Sequence, residues 1–249
     1  MRTLEGSMDP GINRVWWDLR TEPSTQIKLR TSPLYADWVE LNDDRWRPAP
    51  RGTSITVLSA PGTYTVTLVV DGVESSQSLE VLKDPHSEGS LVDVQQQTAM
   101  LSDLRNDLSE AAEMVNQIEW ARRQLHDTRA VLEDRGANEE ALLAAEQLDQ
   151  SLIELEESLI QLRSTGTGQD YVRWPAKLVS RLEYLAGTVG VSDFPPTDPS
   201  REVHDVLKER LSDVAARLDA LWAGELAQFN VLLQQAGQAN IISDESPQT

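Results

Sequence analysis

Residues 62–70 read Gly62-Thr63-Tyr64-Thr65-Val66-Thr67-Leu68-Val69-Val70, and residues 101–118 read LSDLRNDLSEAAEMVNQI. In the first stretch Tyr64, Val66, Leu68 and Val70 alternate with Thr63, Thr65 and Thr67, which is the period of a strand. In the second, Leu101, Leu104, Leu108, Ala111, Val115 and Ile118 recur every three or four residues, which is the stripe of a packed helix. The period changes near residue 85. The chain therefore reads as an α+β multidomain protein. A sheet domain over 1–85 precedes an α-helical domain over 86–242. Asn240–Thr249 reads as a disordered tail, with 243–249 outside the bundle.

Working outward from the Tyr64 strand, Pro61-Gly62 turns the chain into it. Asp71-Gly72 follows it with two residues that tolerate positive φ, as a tight hairpin requires. The partner strand is expected from about Glu74 to Leu82, with Leu79 and Val81 on the core face, and Lys83-Asp84-Pro85 ends it. Gly11–Arg20 reads as an opening strand with Val15, Trp17 and Leu19 inward. Ser54–Leu58 reads as a further strand. Between them, Thr21–Arg51 carries four prolines and reads as irregular, with a short extended piece at Ile27-Lys28-Leu29. Short strands, turn punctuation and a tyrosine soon after a Pro-Gly turn predict an Ig-like β-sandwich.

The first helix is predicted over Leu91–Arg135, its stripe continuing through Leu125 and Leu132. Arg122 and Arg129 interrupt that stripe. They are expected to snorkel to the bundle edge or to pair with a nearby carboxylate such as Glu119; the competing reading is a buried ionic switch or a partner contact. Gly136-Ala137-Asn138 breaks the helix, and Asn138 is placed to cap the next one. There Ala141, Ala145, Leu148, Leu152, Leu155, Leu159 and Leu162 form a coiled-coil-like seam. A loop follows at Ser164–Gly168. A third helix is expected over Trp174–Gly187, with Leu178, Leu182 and Leu185 inward. Asp198-Pro199 is read as the cap and first turn of the last helix. Its expected buried face is Val203, Leu207, Leu211, Val214, Leu218 and Leu221. About four amphipathic helices with short connections predict an antiparallel bundle.

The chain holds 22 basic and 41 acidic residues, a net charge of −19. Residues 1–89 account for 9 and 13 of these, so most of the excess acid lies on the helices. Such a surface repels phosphate backbones and anionic lipid, which argues against nucleic acid and against membrane-surface binding. No apolar run approaches the length of a membrane span, which argues against membrane insertion. With no cysteine there is neither a disulfide nor a thiolate. Residues 1–7 contain no apolar run of the kind a signal peptide uses.

No spacing points to catalysis, a cofactor or a metal, and no residue is assigned to any of the three. His86, His126 and His204 lack a second ligand at metal spacing and read as surface or linker residues. Glu139-Glu140 and Glu156-Glu157 are neighbours about 100° apart on a helix, so both pairs read as solvated surface. Asn42-Asp43-Asp44 lacks the alternating ligands of a calcium loop and reads as a turn. Gly166-Thr167-Gly168 follows a helix, unlike a phosphate loop, and no G-x-S-x-G elbow is present. The remaining candidates are the tryptophans. Trp16, Trp38 and Trp46 could stack on sugar rings or anchor another domain, while core and junction packing is the simpler role.

The sheet motifs NRVWWDLR, LRTSPLY, PGTYTV-x-L-x-VDG and VLKDP resemble the C-terminal region of bacterial sortilin-like (BNR/Asp-box) β-propeller proteins, often labelled glycosyl hydrolase or sialidase-like. Asn116-Gln117-Ile118-Glu119 and Arg122-Arg123-Gln124-Leu125 are similar to the first helix after the KDP motif of that family. The resemblance implies an Ig-like domain similar to that of flagellar hook-capping proteins, then a helical region, in an exported protein of extracellular or periplasmic location. It implies a β-propeller domain, of the same or a neighbouring chain, as partner. The propeller is absent here, with no S-x-D-x-G-x-T-W box, so hydrolase activity would reside elsewhere. The expected function is a non-catalytic accessory region for docking, partner binding or dimerisation. The alternatives are a carbohydrate-binding module acting through the Trp-rich sheet, and self-association as a homodimer through the Leu148–Leu162 seam.

Overall fold

At the turn Asp71-Gly72 both residues take positive φ, 52° and 81°, and join strand β3 (Gly62–Val70) to strand β4 (Val73–Val81). The register pairs Tyr64 with Leu79 and Leu68 with Ser75, so one face carries Tyr64, Val66, Leu68, Val70, Val73, Leu79 and Val81. The other face is polar, with the Thr67 and Ser76 hydroxyls bonded at 2.9 Å. The structure, a computed structural model, describes residues 2–34, 36–50, 54–134, 139–165 and 169–244, with the backbone alone at Tyr171.

Among the described residues, sheet structure consists of this hairpin and a two-residue antiparallel pair, β1 (Lys28–Leu29) with β2 (Arg47–Pro48). The protein is thus α+β with two small two-stranded sheets. A sandwich needs a second layer over the apolar face. Here Leu68 remains 63% exposed, and Val66, Val70, Val73 and the expected core residue Leu79 are exposed as well. The opening strand expected over Gly11–Arg20 does not form. Leu19 takes φ 61°, and pairing starts only there, through Ser59 N–H to the Leu19 carbonyl at 2.7 Å and Thr21 N–H to the Val57 carbonyl at 2.9 Å. Val15 and Leu19 are exposed; Trp17 is half-buried, its ring edge-on to Tyr64 at 5.5 Å between centroids.

Helix α1 spans Leu91–Asp134, as its stripe predicts. Ser90 and Asp93 cap its start reciprocally, Ser90 N–H to Asp93 Oδ2 at 2.9 Å and Asp93 N–H to Ser90 Oγ at 3.2 Å. The break at Gly136–Asn138 and the expected Asn138 cap lie outside the described residues, as do 166–168 of the following loop. Helix α2 (Glu139–Leu159) buries every residue of its seam, and Leu162 is buried just beyond it. Pro175 separates a single turn, α3 (Asp170–Arg173), from α4 (Leu178–Val189), so the third long helix starts later than expected. Helix α5 (Asp198–Leu221) is capped by Thr197, whose side chain accepts the Ser200 N–H; Asp198 and Pro199 form the first turn. A π-turn (Trp222–Leu226) leads into α6 (Ala227–Gln235).

Helix α1 packs against α2, α4 and α5, and α2 against α5 and α6. One hydrophobic core runs through them and takes in Ile27, Leu29 and Ala49 from the irregular segment. Residues 240–244 of the expected disordered tail are docked: Asn230 exchanges hydrogen bonds with the Ile241 backbone at 2.8 and 2.9 Å, and Gln124 donates to the Ile242 carbonyl at 2.8 Å. Residues 245–249 lie outside the described residues.

Candidate functional site

Arg105, Ser109, Asn116 and Glu119 share one side of α1 and hold residues 22–31 as an extended strap. Arg105 Nε donates to the Glu22 carbonyl at 2.7 Å. The Ser109 hydroxyl accepts the Thr25 N–H at 3.1 Å. Asn116 accepts the Lys28 N–H at 2.7 Å and donates to the Gln26 carbonyl at 2.9 Å. Glu119 Oε2 accepts the N–H groups of Arg30 and Thr31, the latter at 2.7 Å. An extended backbone with only a two-residue strand pairing of its own must find further donors and acceptors elsewhere, and here a helix surface supplies them.

At the end of the strap lies a buried charge cluster. Arg122 is 3% exposed. Its Nη1 lies 2.9 Å from Glu156 Oε2 and 3.4 Å from Glu119 Oε1, and its Nε lies 2.9 Å from Asp149 Oδ1. The Thr31 hydroxyl donates to Glu119 Oε1 at 2.7 Å and accepts from Arg122 Nη1 at 3.3 Å. Arg47 is buried on the strap side, its Nε donating to the Thr31 carbonyl at 3.0 Å. Arg30 lies over the Trp120 ring at 5.2 Å. His126 touches the second oxygen of Asp149 at 3.3 Å.

Burial sets the electrostatics, and the neighbours decide the sign. Desolvation lifts Glu156 well above the usual carboxylate range; Glu119 adds to this, and Arg122 opposes it. Burial also works against the charge on Arg122, yet Glu156, Asp149 and Glu119 together raise it above the ordinary arginine value. Asp149 is held below its ordinary value: burial opposes its ionisation, but the His126 hydrogen bond and the Arg122 guanidinium outweigh that. Arg47 is lowered by burial, against the pull of Glu119 and Glu156.

Titratable groups therefore do converge, but on a sealed point: Glu119 and Glu156 are each 0% exposed. A guanidinium occupies the centre where a substrate or cation would have to sit. Among the described residues no group of three or more His, Asp or Glu side chains could hold a metal ion. A separate cavity of about 510 Å³ lies between the hairpin base and helices α1 and α4, lined mainly by apolar groups including Leu58, Leu82, Val94, Leu101 and Ala186. Its lysine, Lys83, is tied to the carbonyls of Asp84 and Ser87.

Several expectations change. Glu156 is not solvated surface, because the strap and α1 cover the flank of α2 beside its leucine seam. Arg122 pairs with Glu119 as one reading had it, but inside the protein and not at the edge. Arg129 is half-exposed and pairs with Glu133 at 2.9 Å. His204 is buried, its Nε2 lying 2.6 Å from Asp107 Oδ2, and Val203 takes the exposed place. The spacing held that signal: 204, 207, 211, 214, 218 and 221 alternate threes and fours without a break, and starting from Val203 breaks the rhythm. His86 is exposed and His126 half-exposed. Asn42–Arg45 is a turn, with Asn42 Oδ1 accepting the Trp46 N–H at 3.0 Å.

Trp16 and Trp38 are exposed, 80% and 73%. Trp46 is half-buried beneath Lys28, whose Nζ lies 5.8 Å from the ring centre. Arg14 covers one face of Trp16 at 5.7 Å. No ring-to-ring contact joins the three among the described residues; the one aromatic pair recorded there is Trp17 with Tyr64. Comparison with protein-family models, curated proteins and solved structures gives no match. The resemblance to the sortilin-like propeller proteins stands on the sequence motifs alone. No helix among the described residues is long and apolar enough to cross a membrane.

Proposed function

We propose that this chain is a non-catalytic accessory region that docks a β-rich partner domain through its hairpin. The observation that carries this reading is the uncovered face of β3 and β4. From Tyr64 to Val81 it bears no charged side chain, in a protein of net charge −19; its aliphatic residues from Val66 to Leu79 are exposed, with Ser75 and Gln77 among them. An apolar sheet face of this kind is an interaction surface or an aggregation hazard. The Ig-like sandwich expected from the sequence would be completed by strands laid on this face. A propeller of the same or a neighbouring chain is the partner that the resemblance implies, in an exported protein. The α-helical part acts as the base, read as an antiparallel bundle.

Two measurements test this. The purified chain should show no turnover of glycosidase or peptidase substrates; activity abolished by one carboxylate substitution would end the reading. Hydrogen exchange should then compare residues 62–81 in the isolated chain and in the full polypeptide that its gene encodes. Protection gained in the longer protein, and lost in Leu68→Lys, is the expected result. Equal exposure in both would remove the hairpin as the docking surface. Glycan binding is the second reading, favoured by the exposure of Trp16 and Trp38. It predicts glycan quenching of tryptophan fluorescence that Trp16→Ala and Trp38→Ala abolish.

A further inference from the structure

Glu156 Oε1 is sealed from water and meets no hydrogen-bond donor, while its other oxygen receives Arg122 Nη1 at 2.9 Å; the carboxyl also lies within hydrogen-bond reach of Glu119, a contact that two ionised carboxylates cannot make. Glu119 has donors on both oxygens: the Arg30 and Thr31 amides on one, the Thr31 hydroxyl and Arg122 on the other. Glu119 is thus equipped to be an anion and Glu156 is not. A buried anionic oxygen without a donor is far more costly than a neutral carbonyl oxygen in the same place. The Arg122 Nη1 that reaches Glu156 is shared with Glu119 and the Thr31 hydroxyl, and its Nε is held by Asp149. The other charged groups facing the cluster are Arg47 and Arg30 on the strap side and His126 behind Asp149.

The strap is what closes this site. Thr31 bridges Glu119 and Arg122 through its hydroxyl, Arg47 holds the Thr31 carbonyl, and Leu34 N–H donates to the Leu162 carbonyl at 3.1 Å. An ionised Glu156 would stand against ionised Glu119 with one guanidinium nitrogen between them. Lifting the strap admits water to both carboxylates, so ionisation favours the lifted state. We propose that the cluster is a proton-operated latch: residues 28–34 lie closed on α1 and α2 while Glu156 is neutral, and lift when it ionises. Opening bares the surface of α1 at Asn116 and Glu119.

The sign follows from linkage. The closed state holds the proton more tightly than the open one, so closure is fully supported below about pH 4.5, the ordinary glutamate value, and is lost as pH rises. A one-proton latch opens about tenfold more per pH unit above that value, then levels off once the closed state has itself lost the proton. Hydrogen exchange of the intact chain from about pH 5 upward, corrected for the intrinsic base-catalysed rate, reads this directly. Amides in 28–34 should lose protection with that slope while amides in the middle of α5 do not. Glu156→Gln, neutral at every pH, should keep 28–34 protected and abolish the slope. An identical slope in Glu156→Gln, or a flat profile in the unmodified protein, overturns the latch. Should Glu156→Gln fail to fold, carbon-13 NMR of the glutamate carboxyls in the unmodified protein decides. One carboxyl titrating far above the rest, in step with strap exchange, supports the proposal, and uniform ordinary titration refutes it.

Discussion

Replacing Arg122 by methionine removes the one group that touches all three acids of the buried cluster. The substitution roughly preserves the stem's volume, so the loss is electrostatic and not a cavity. Breaking a buried ion pair from one side costs about 3–5 kcal/mol, because an uncompensated charge remains. The three acids do not suffer equally. Asp149 is a quarter exposed and can turn to water and to His126. Glu119 keeps both strap amides and the Thr31 hydroxyl. Glu156 is wholly buried but is already pushed toward its neutral form. The lower half of that range, about 3–4 kcal/mol, is therefore expected. In a domain of this size it corresponds to a fall in Tm of roughly 6–16 °C. Urea denaturation followed by circular dichroism measures it, and tryptophan emission from Trp120 reports the same region. A second variant, Arg122→Met with Glu156→Leu, should recover part of the loss by removing an acid that no longer has a partner. A loss below about 1 kcal/mol in the single variant, the level of a surface ion pair, would refute the assignment of a buried and energetically coupled cluster.

Gly89→Ala places a Cβ 2.1 Å from the Asp193 carbonyl oxygen, a backbone atom that cannot swing aside, so a loss of about 1–3 kcal/mol is expected by thermal unfolding. Asp107→Leu leaves the buried His204 ring without its partner and should cost about 1–3 kcal/mol, whereas Asp107→Leu with His204→Leu should restore most of it. Thr197→Ala removes the cap of α5 and should cost about 1 kcal/mol, with fraying seen in the exchange of the Ser200 amide. Stability should be greatest at mildly acidic pH. The contribution of Asp149, whose folded value is depressed, is present above about pH 3.8 and disappears as pH falls through that depressed value. That of Glu156, whose folded value is raised, fades as pH climbs from about 4.5. Chemical denaturation across the pH range checks both limbs, and Asp149→Asn should flatten the acid one.

Much of the helical half was legible because its apolar spacing is local information. The Leu101–Ile118 stripe and the Ala141–Leu162 seam name their own buried faces, and all their residues are buried except Leu101, which is partly buried. The Asp71-Gly72 turn was equally readable, since two consecutive positive φ angles leave few residue types to choose from. The candidate site was readable only in its Arg122–Glu119 pair. Glu156 sits beside the leucine seam, at a position that is solvated in an isolated helix. It becomes interior where α1 packs against α2 and brings Arg122 to within 2.9 Å of it, next to the strap residue Thr31. Nothing in the local composition of the strap announces its path, which the side chains of Arg105, Ser109, Asn116 and Glu119 set from far along the chain.

By itself the sequence determined the long helices, the hairpin at Asp71-Gly72 and the oily face of most helices, because periodicity and turn chemistry act between neighbours. Tertiary structure alone decided which charges are sealed. Burial depends on what covers a residue, and here the cover over Glu119 and Arg122 comes from about ninety positions away. It also decided that the apolar face of the hairpin stays open among the described residues, since an alternating strand pattern specifies a face and not the layer that would cover it.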